Sequence, residues 1–206
     1  MRSKWALWTL LGTASAVAAS TLVNWTRADE LEFKLVKEAE LPKGFPAHTP
    51  PGKIEVKHYP EYRKASATGG GAFWTLFRHI QKNDIAMTAP VEMGFGPARG
   101  AEPQESSMAF LYGSPSQGEA GREGAVEVTD VPATTVVSIG CRGDQDRKQA
   151  VADARDRLLE WLDQQDEYQI AGPLRVMGYN SPMVPASKRL FEVQIPIEKR
   201  QAAASE

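Results

Sequence analysis

Residues 83–93 read NDIAMTAPVEM, and residues 176–184 read VMGYNSPMV. Each stretch follows a segment with helical periodicity, and each carries the same layout: apolar, Ala or Gly, Met or Tyr, Thr or Asn, Ala or Ser, Pro, apolar. Small residues let backbones approach closely, Thr and Asn bond nearby backbone, and Pro ends ladder pairing. These properties predict a paired sheet element on which each preceding helix packs.

Working outward, the elements around the two stretches recur in one order. Ile54, Val56 and His58 alternate with Glu55, Lys57 and Tyr59, the period of a half-buried strand; Pro60 interrupts it and a second strand runs through Ala67. After Gly69–Gly71, Phe73, Leu76, Phe77 and Ile80 fall at i, i+3, i+4 and i+7, an apolar helical stripe that leaves His79 on the flank. NDIAMTAPVEM follows, then the strand SMAFLYG. The second half reads AVEVTDVPATTVVSIG, again strand, proline, strand. A longer helix comes next, with Val151, Ala154, Leu158, Trp161 and Leu162 on one face, then VMGYNSPMV and the strand KRLFEVQIPI. Pro60 matches Pro132 and Pro90 matches Pro182, so the order predicts an internal duplication about a pseudo-twofold.

The 206 residues suffice for one domain and an appendage, and an apolar fraction of 42% with 24% charged residues is globular in character. A net charge of −2, with basic and acidic residues interleaved, gives no electrostatic case for nucleic acid. Cys141 is the single cysteine, so no intrachain disulfide forms, and it reads as a buried structural thiol. Covalent haem attachment through Cys-x-x-Cys-His is excluded. His48, His58 and His79 are the only histidines, and their spacing fits no zinc motif.

Arg2 and Lys4 precede the apolar run WALWTLLGTASAV and the small-x-small site Ala16-Val17-Ala18, the pattern of an export signal. No charge lies between Trp5 and Thr26, which is also long enough for a membrane anchor. Both readings of residues 1–26 place the rest outside the cytoplasm, periplasmic or extracellular. Residues 27–51 form a charged and then Pro-rich connecting arm, with one short strand around Phe33, Leu35 and Val36; residues 52–197 form the domain and 198–206 a tail.

The segments IEVKHYPEYRKA, FWTLFRHIQKNDIAMTAPV and GYNSP occur in an order that resembles the SOUL/haem-binding protein family. The resemblance implies an α+β fold: a distorted eight-stranded antiparallel β-barrel flanked by two helices and built from two similar halves. It also implies noncovalent binding of haem b or a related tetrapyrrole, with His58 of VKHYP matching a proposed axial iron ligand.

On residues alone, His58 shares a strand face with Ile54 and Val56, where a histidine is more often satisfied by backbone than by metal. Met87, Met93, Met177 and Met183 lie in or beside the paired Pro segments and read either as sulfur ligands or as packing. Arg63, Lys64 and Arg78 read either as propionate partners or as solvated charges. The candidate cofactor-binding set is thus His58, Arg63, Phe73, Phe77, Met87 and Met177, with His58 the candidate metal ligand. Ligation need not dominate: burying about 400 Å² of apolar surface yields ~10 kcal/mol before association costs, and micromolar binding needs ~8 kcal/mol.

No nucleophile elbow, phosphate loop or paired-histidine motif argues for an enzyme. The leading expectation is an exported tetrapyrrole carrier or buffer. The alternatives are a protein-interaction or envelope scaffold without cofactor and a promiscuous binder of apolar small ligands.

Overall fold

A computed structural model describes residues 39–200 except Ala101, Arg147 and Pro182. The expected export signal or anchor, the strand around Phe33, Leu35 and Val36, Pro182 and the end of the tail lie outside the described residues. Among the described residues no helix is long and apolar enough to cross a membrane.

In chain order the elements are β1 (Ile54–Tyr59), β2 (Tyr62–Ala67), α1 (Ala72–Lys82), β3 (Val91–Phe95), β4 (Glu105–Leu111), β5 (Gly121–Glu123), β6 (Val126–Val131), β7 (Thr134–Arg142), α2 (Lys148–Asp163), β8 (Tyr168–Ile170), β9 (Arg175–Gly178) and β10 (Leu190–Lys199). Among the described residues all ten strands join one antiparallel sheet in the order β1-β7-β10-β9-β3-β4-β2-β6-β5, with β8 added to β10. The α+β class, the large antiparallel sheet and the two helices match the expectation. The strand count does not, because the three-residue strands β5 and β8 add to it, and among the described residues no pairing joins β1 to β5 to close a barrel.

The sheet is nonetheless strongly curled, and the connections show why. β1 and β2 lie six places apart in the sheet, which at ~4.8 Å per place is roughly 29 Å if flat. Pro60 and Glu61 alone join them, and that link reaches at most about 11 Å. The equally short Pro132-Ala133 link joins β6 to β7, which are also far apart in the order. Two short links therefore draw the ends of the sheet toward each other, and the sheet encloses an inner face.

Both helices pack on the outer face. α2 sets Val151, Ala154, Leu158 and Leu162 on Val137, Ile139, Val176, Val193 and Ile195, while α1 sets Leu76 and Ile80 on Ala65, Phe110 and Val128. The α1 stripe is rotated from its expected position. Ala72, Leu76, His79 and Ile80 are buried, whereas Phe73 and Phe77 are half-buried at its margin beside exposed Trp74. His79 lies only about 60° of helical arc from Leu76, so it joins the packed side rather than the flank.

β3 and β9 form the central pair, with Val91 opposite Gly178 and Met93 opposite Val176. Pro90 precedes its strand, whereas residues 179–181 follow theirs. The two quoted stretches thus meet at one end of an antiparallel pair instead of occupying equivalent positions. The helices match in order and the motifs do not match residue by residue.

Residues 39–53 pack against the inner face and the β7 strand. Gly52 N donates to Gly140 O at 2.8 Å, and Gly140 N donates to Lys53 O at 3.1 Å. A Cβ built on Gly140 runs into the carbonyl oxygens of Thr49 and Pro50, so only glycine lets the arm lie this close. Gly140→Ala should lift the arm, costing about 1–3 kcal/mol in urea unfolding, with proteolysis appearing within residues 39–53 while the helical circular dichroism signal persists.

Candidate ligand-binding groove

The alternation read in β1 holds for direction and fails for burial. Ile54 and Val56 are half-buried against the α2 cluster, His58 on the same face is exposed, and Lys57 and Tyr59 on the other face are buried. A one-sided sheet buries one face; here the outer face meets α2 and the curled inner face meets the arm, so both phases are covered.

The inner face is polar. Glu192 is fully buried and takes hydrogen bonds from Lys57 Nζ (2.7 Å), the Thr49 amide (2.5 Å), Ser138 Oγ (3.0 Å) and Gln194 Nε2 (2.5 Å). Burial alone would push its carboxyl up, but the Lys57 charge and the Lys57 and Thr49 hydrogen bonds hold it below the ordinary carboxylate range. A second buried carboxylate, Glu92, pairs with Lys64 and with Arg175 Nη1 at 3.4 Å and accepts from Tyr62 Oη at 3.1 Å. Burial opposes its ionisation too, and Arg175 and Lys64 outweigh burial. Arg175 also donates to Tyr62 Oη and Gln194 Oε1 and stands 5.1 Å from the centre of the Tyr59 ring. Phe45 of the arm caps this layer edge-on to both Tyr59 and Tyr62.

Where the arm passes β1, a groove of about 740 Å³ opens, lined by Pro46, Ala47 and His48 of the arm and by Glu55, Val56, Lys57 and His58 of β1. That lies within the range of small-molecule sites, about 300–1,000 Å³. His58 Nδ1 lies 3.0 Å from Thr135 Oγ1 on β7. A ring held through Nδ1 presents the opposite nitrogen, Nε2, away from that bond. His48 lies in the Pro-rich arm, and its ring packs edge-on to Tyr179 with its Nε2 buried without a hydrogen-bond partner among the described residues. Burial, partly offset by Glu192, lowers its affinity for a proton and favours the neutral imidazole. The groove therefore holds two imidazoles, only one of which the strand pattern singled out.

The family model of the SOUL heme-binding proteins matches residues 29–196. The chain belongs to this family. The SOUL chain's fold is similar to that of the EcmrR C-terminal domain, at 18% identity and TM-score 0.51, covering 72% of this chain and 98% of that one. It is also similar to EcmrR as seen in an EcmrR–DNA complex, at 17% identity and TM-score 0.53. That match covers 72% of this chain and 58% of that one, so the SOUL chain accounts for just over half of EcmrR. An uncharacterized conserved protein from Listeria innocua matches at 11% identity and TM-score 0.51, covering 73% and 94% of the two chains. At these identities the likeness is one of fold alone. No curated protein matches the sequence.

The six residues singled out in the sequence occupy different surroundings. His58 borders the groove. Arg63 is held by Asp130 at 2.7 and 3.0 Å and by the carbonyls of Gln117 and Gly118. Phe73, Phe77 and Met87 pack against the α1 core cluster. Met177 is fully buried, opposite both Glu92 and Glu192 in register. Of the other methionines, Met93 is buried and Met183 exposed; Arg78 is exposed, and Lys64 pairs with Glu92. Among the described residues no group of three metal-ligating side chains comes together.

Lys57→Met should leave Glu192 buried without its cation and lower stability by about 3–5 kcal/mol at pH 7, measured by urea unfolding. Because Glu192 and Glu92 ionise more readily folded than unfolded, their contribution is present above the unfolded value of 4.5 and lost as pH falls through the lower folded values. Glu192→Gln should accordingly lose less stability on acidification below pH 4.5 than the wild type does. Cys141 is half-buried, and burial pushes its thiol up to about 11. Native protein should react with a disulfide reagent at pH 8 about 100-fold more slowly than urea-unfolded protein.

Proposed function

We propose that this SOUL-family chain binds haem b or a related tetrapyrrole noncovalently in the groove between the arm and β1, as cargo of an exported carrier or buffer. Family membership over residues 29–196 is the observation that carries the reading. The groove supports the location, since Pro46, Ala47 and Val56 offer apolar contact and His58 offers imidazole nitrogen. The Thr135 contact at Nδ1 supports His58 as the residue that would hold the iron, through Nε2. Lys57 is committed to Glu192, so it is not the residue assigned to the propionates. Export rests on the Arg2–Ala18 pattern in the sequence. The mirrored strand order, β1-β7-β10-β9 against β6-β2-β4-β3, and the curl of the sheet support reading the domain as a barrel-like duplicated unit.

The test is titration of the purified protein with haemin, followed by Soret absorbance, beside His58→Ala and iron-free protoporphyrin IX. Saturable one-to-one haemin binding is expected, with at least about tenfold weaker binding or a changed Soret band in His58→Ala. Equal binding of haemin and protoporphyrin by both proteins would retain the pocket and remove His58 from its role. No saturable binding of either compound would overturn the tetrapyrrole reading and favour a scaffold without cofactor.

A further inference from the structure

Away from the groove, α1, the end of β4 and β5 enclose a cavity of about 390 Å³. Tyr112, His79 and Glu123 stand in its wall, with Ile85 and Val128 as apolar lining. Tyr112 Oη lies 2.8 Å from His79 Nε2, and His79 Nδ1 lies 2.8 Å from Glu123 Oε2. Lys82 and Asn83, at the end of α1, also bond the Glu123 carboxylate. His79 and Tyr112 are buried, while the Glu123 side chain is 40% exposed. The facing loop is fixed by Arg63, which donates to the carbonyls of Gln117 (3.1 Å) and Gly118 (2.6 Å). Gly118, at φ 62°, lies so close to the Tyr112 ring that a Cβ would come within 3.2 Å of it.

These contacts form a continuous chain of carboxylate, imidazole and phenol opening on a cavity at the small end of the ligand-site range. With Glu123 accepting the Nδ1 proton, Nε2 is the lone-pair acceptor for the Tyr112 hydroxyl hydrogen. Burial raises the Tyr112 phenol, which Arg63 only partly offsets, so the oxygen stays protonated until a base takes its proton. Nucleophile, base and orienting carboxylate thus stand in hydrogen-bond order, the arrangement of an activated nucleophile.

We propose that Tyr112 is an acyl-accepting nucleophile for small, uncharged esters, with His79 as its base and Glu123 as the residue that positions the imidazole. The Tyr112 oxygen attacks the ester carbonyl as His79 Nε2 takes the phenol proton. The acyl–oxygen bond breaks, and the proton passes from His79 to the departing alkoxide or phenoxide. Water, activated by the same imidazole, then hydrolyses the acyl-tyrosine and restores the phenol. The steps need no oxidant or metal. None of these three residues lines the arm–β1 groove, so the inference stands apart from tetrapyrrole binding.

The experiment incubates the full protein with p-nitrophenyl acetate, follows p-nitrophenol release and maps acetyl groups by peptide mass spectrometry. Acetylation of Tyr112 is expected at least about 100-fold faster than of the half-buried Tyr168, and His79→Gln should slow it by about 100-fold or more. Glu123→Gln, at a partly exposed position, should slow it at least about tenfold, and Tyr112→Phe should remove the adduct while leaving haemin binding as in the wild type. Wild-type protein acetylated at Tyr112 no faster than at Tyr168 would overturn the proposal without reference to any variant. Equal labelling of Tyr112 in wild type and folded His79→Gln, judged by thermal unfolding, would reduce the three residues to a structural hydrogen-bond chain.

Discussion

A carboxylate with no solvent exposure cannot remain ionised without partners, and Glu192 finds them on four separate segments: Lys57 on β1, Thr49 in the arm, Ser138 on β7 and Gln194 on its own strand. Lys57 reaches back from the same point to the Ala47 carbonyl at 2.6 Å. One buried charge pair thereby sets the height of the arm over the sheet and the direction in which β1 presents its side chains. The groove beside His58 exists because the arm is held at that height. Gly140 completes the constraint by letting the arm's backbone lie directly on β7.

The inner face differs from the outer one in kind. On the outside, two helices cover aliphatic side chains, a non-directional contact that tolerates small shifts. Inside, Glu92, Arg175, Tyr62, Gln194, Tyr59 and Glu192 are linked by directional bonds, and the two glutamates flank Met177 across adjacent strands. Breaking one member strands another in a place without water, so such a layer favours a single arrangement over greater stability. Arg175 Nη2 is buried without a partner among the described residues, so even this layer is not fully satisfied.

Much of the fold was legible because it rests on periodicity. The alternation in β1, the i, i+3, i+4 stripe on α2 and the prolines after β1 and β6 each report a local geometry that survives folding. The family segments were legible for the same reason: IEVKHYPEYRKA and FWTLFRHIQKNDIAMTAPV are continuous in sequence. What failed were inferences from one periodicity to one buried face. Lys57 reads as solvent-exposed because its partner Glu192 is far along the chain, and His79 reads as flanking because Tyr112 and Glu123 come from β4's end and β5. β5 and β8, three residues each, are too short to show a pattern and exist through pairing with longer strands.

The sequence by itself determined the class, the order of elements, both helices and the family, since each depends on residues near one another along the chain. The tertiary structure decided which residues share a site. Two-residue links force the sheet to curl, the curl creates a second buried face, and that face selects Lys57, Tyr59 and Glu192 for the interior while leaving His58 at the groove. The side chains that meet there come from segments separated by up to 143 positions, a separation no local pattern records.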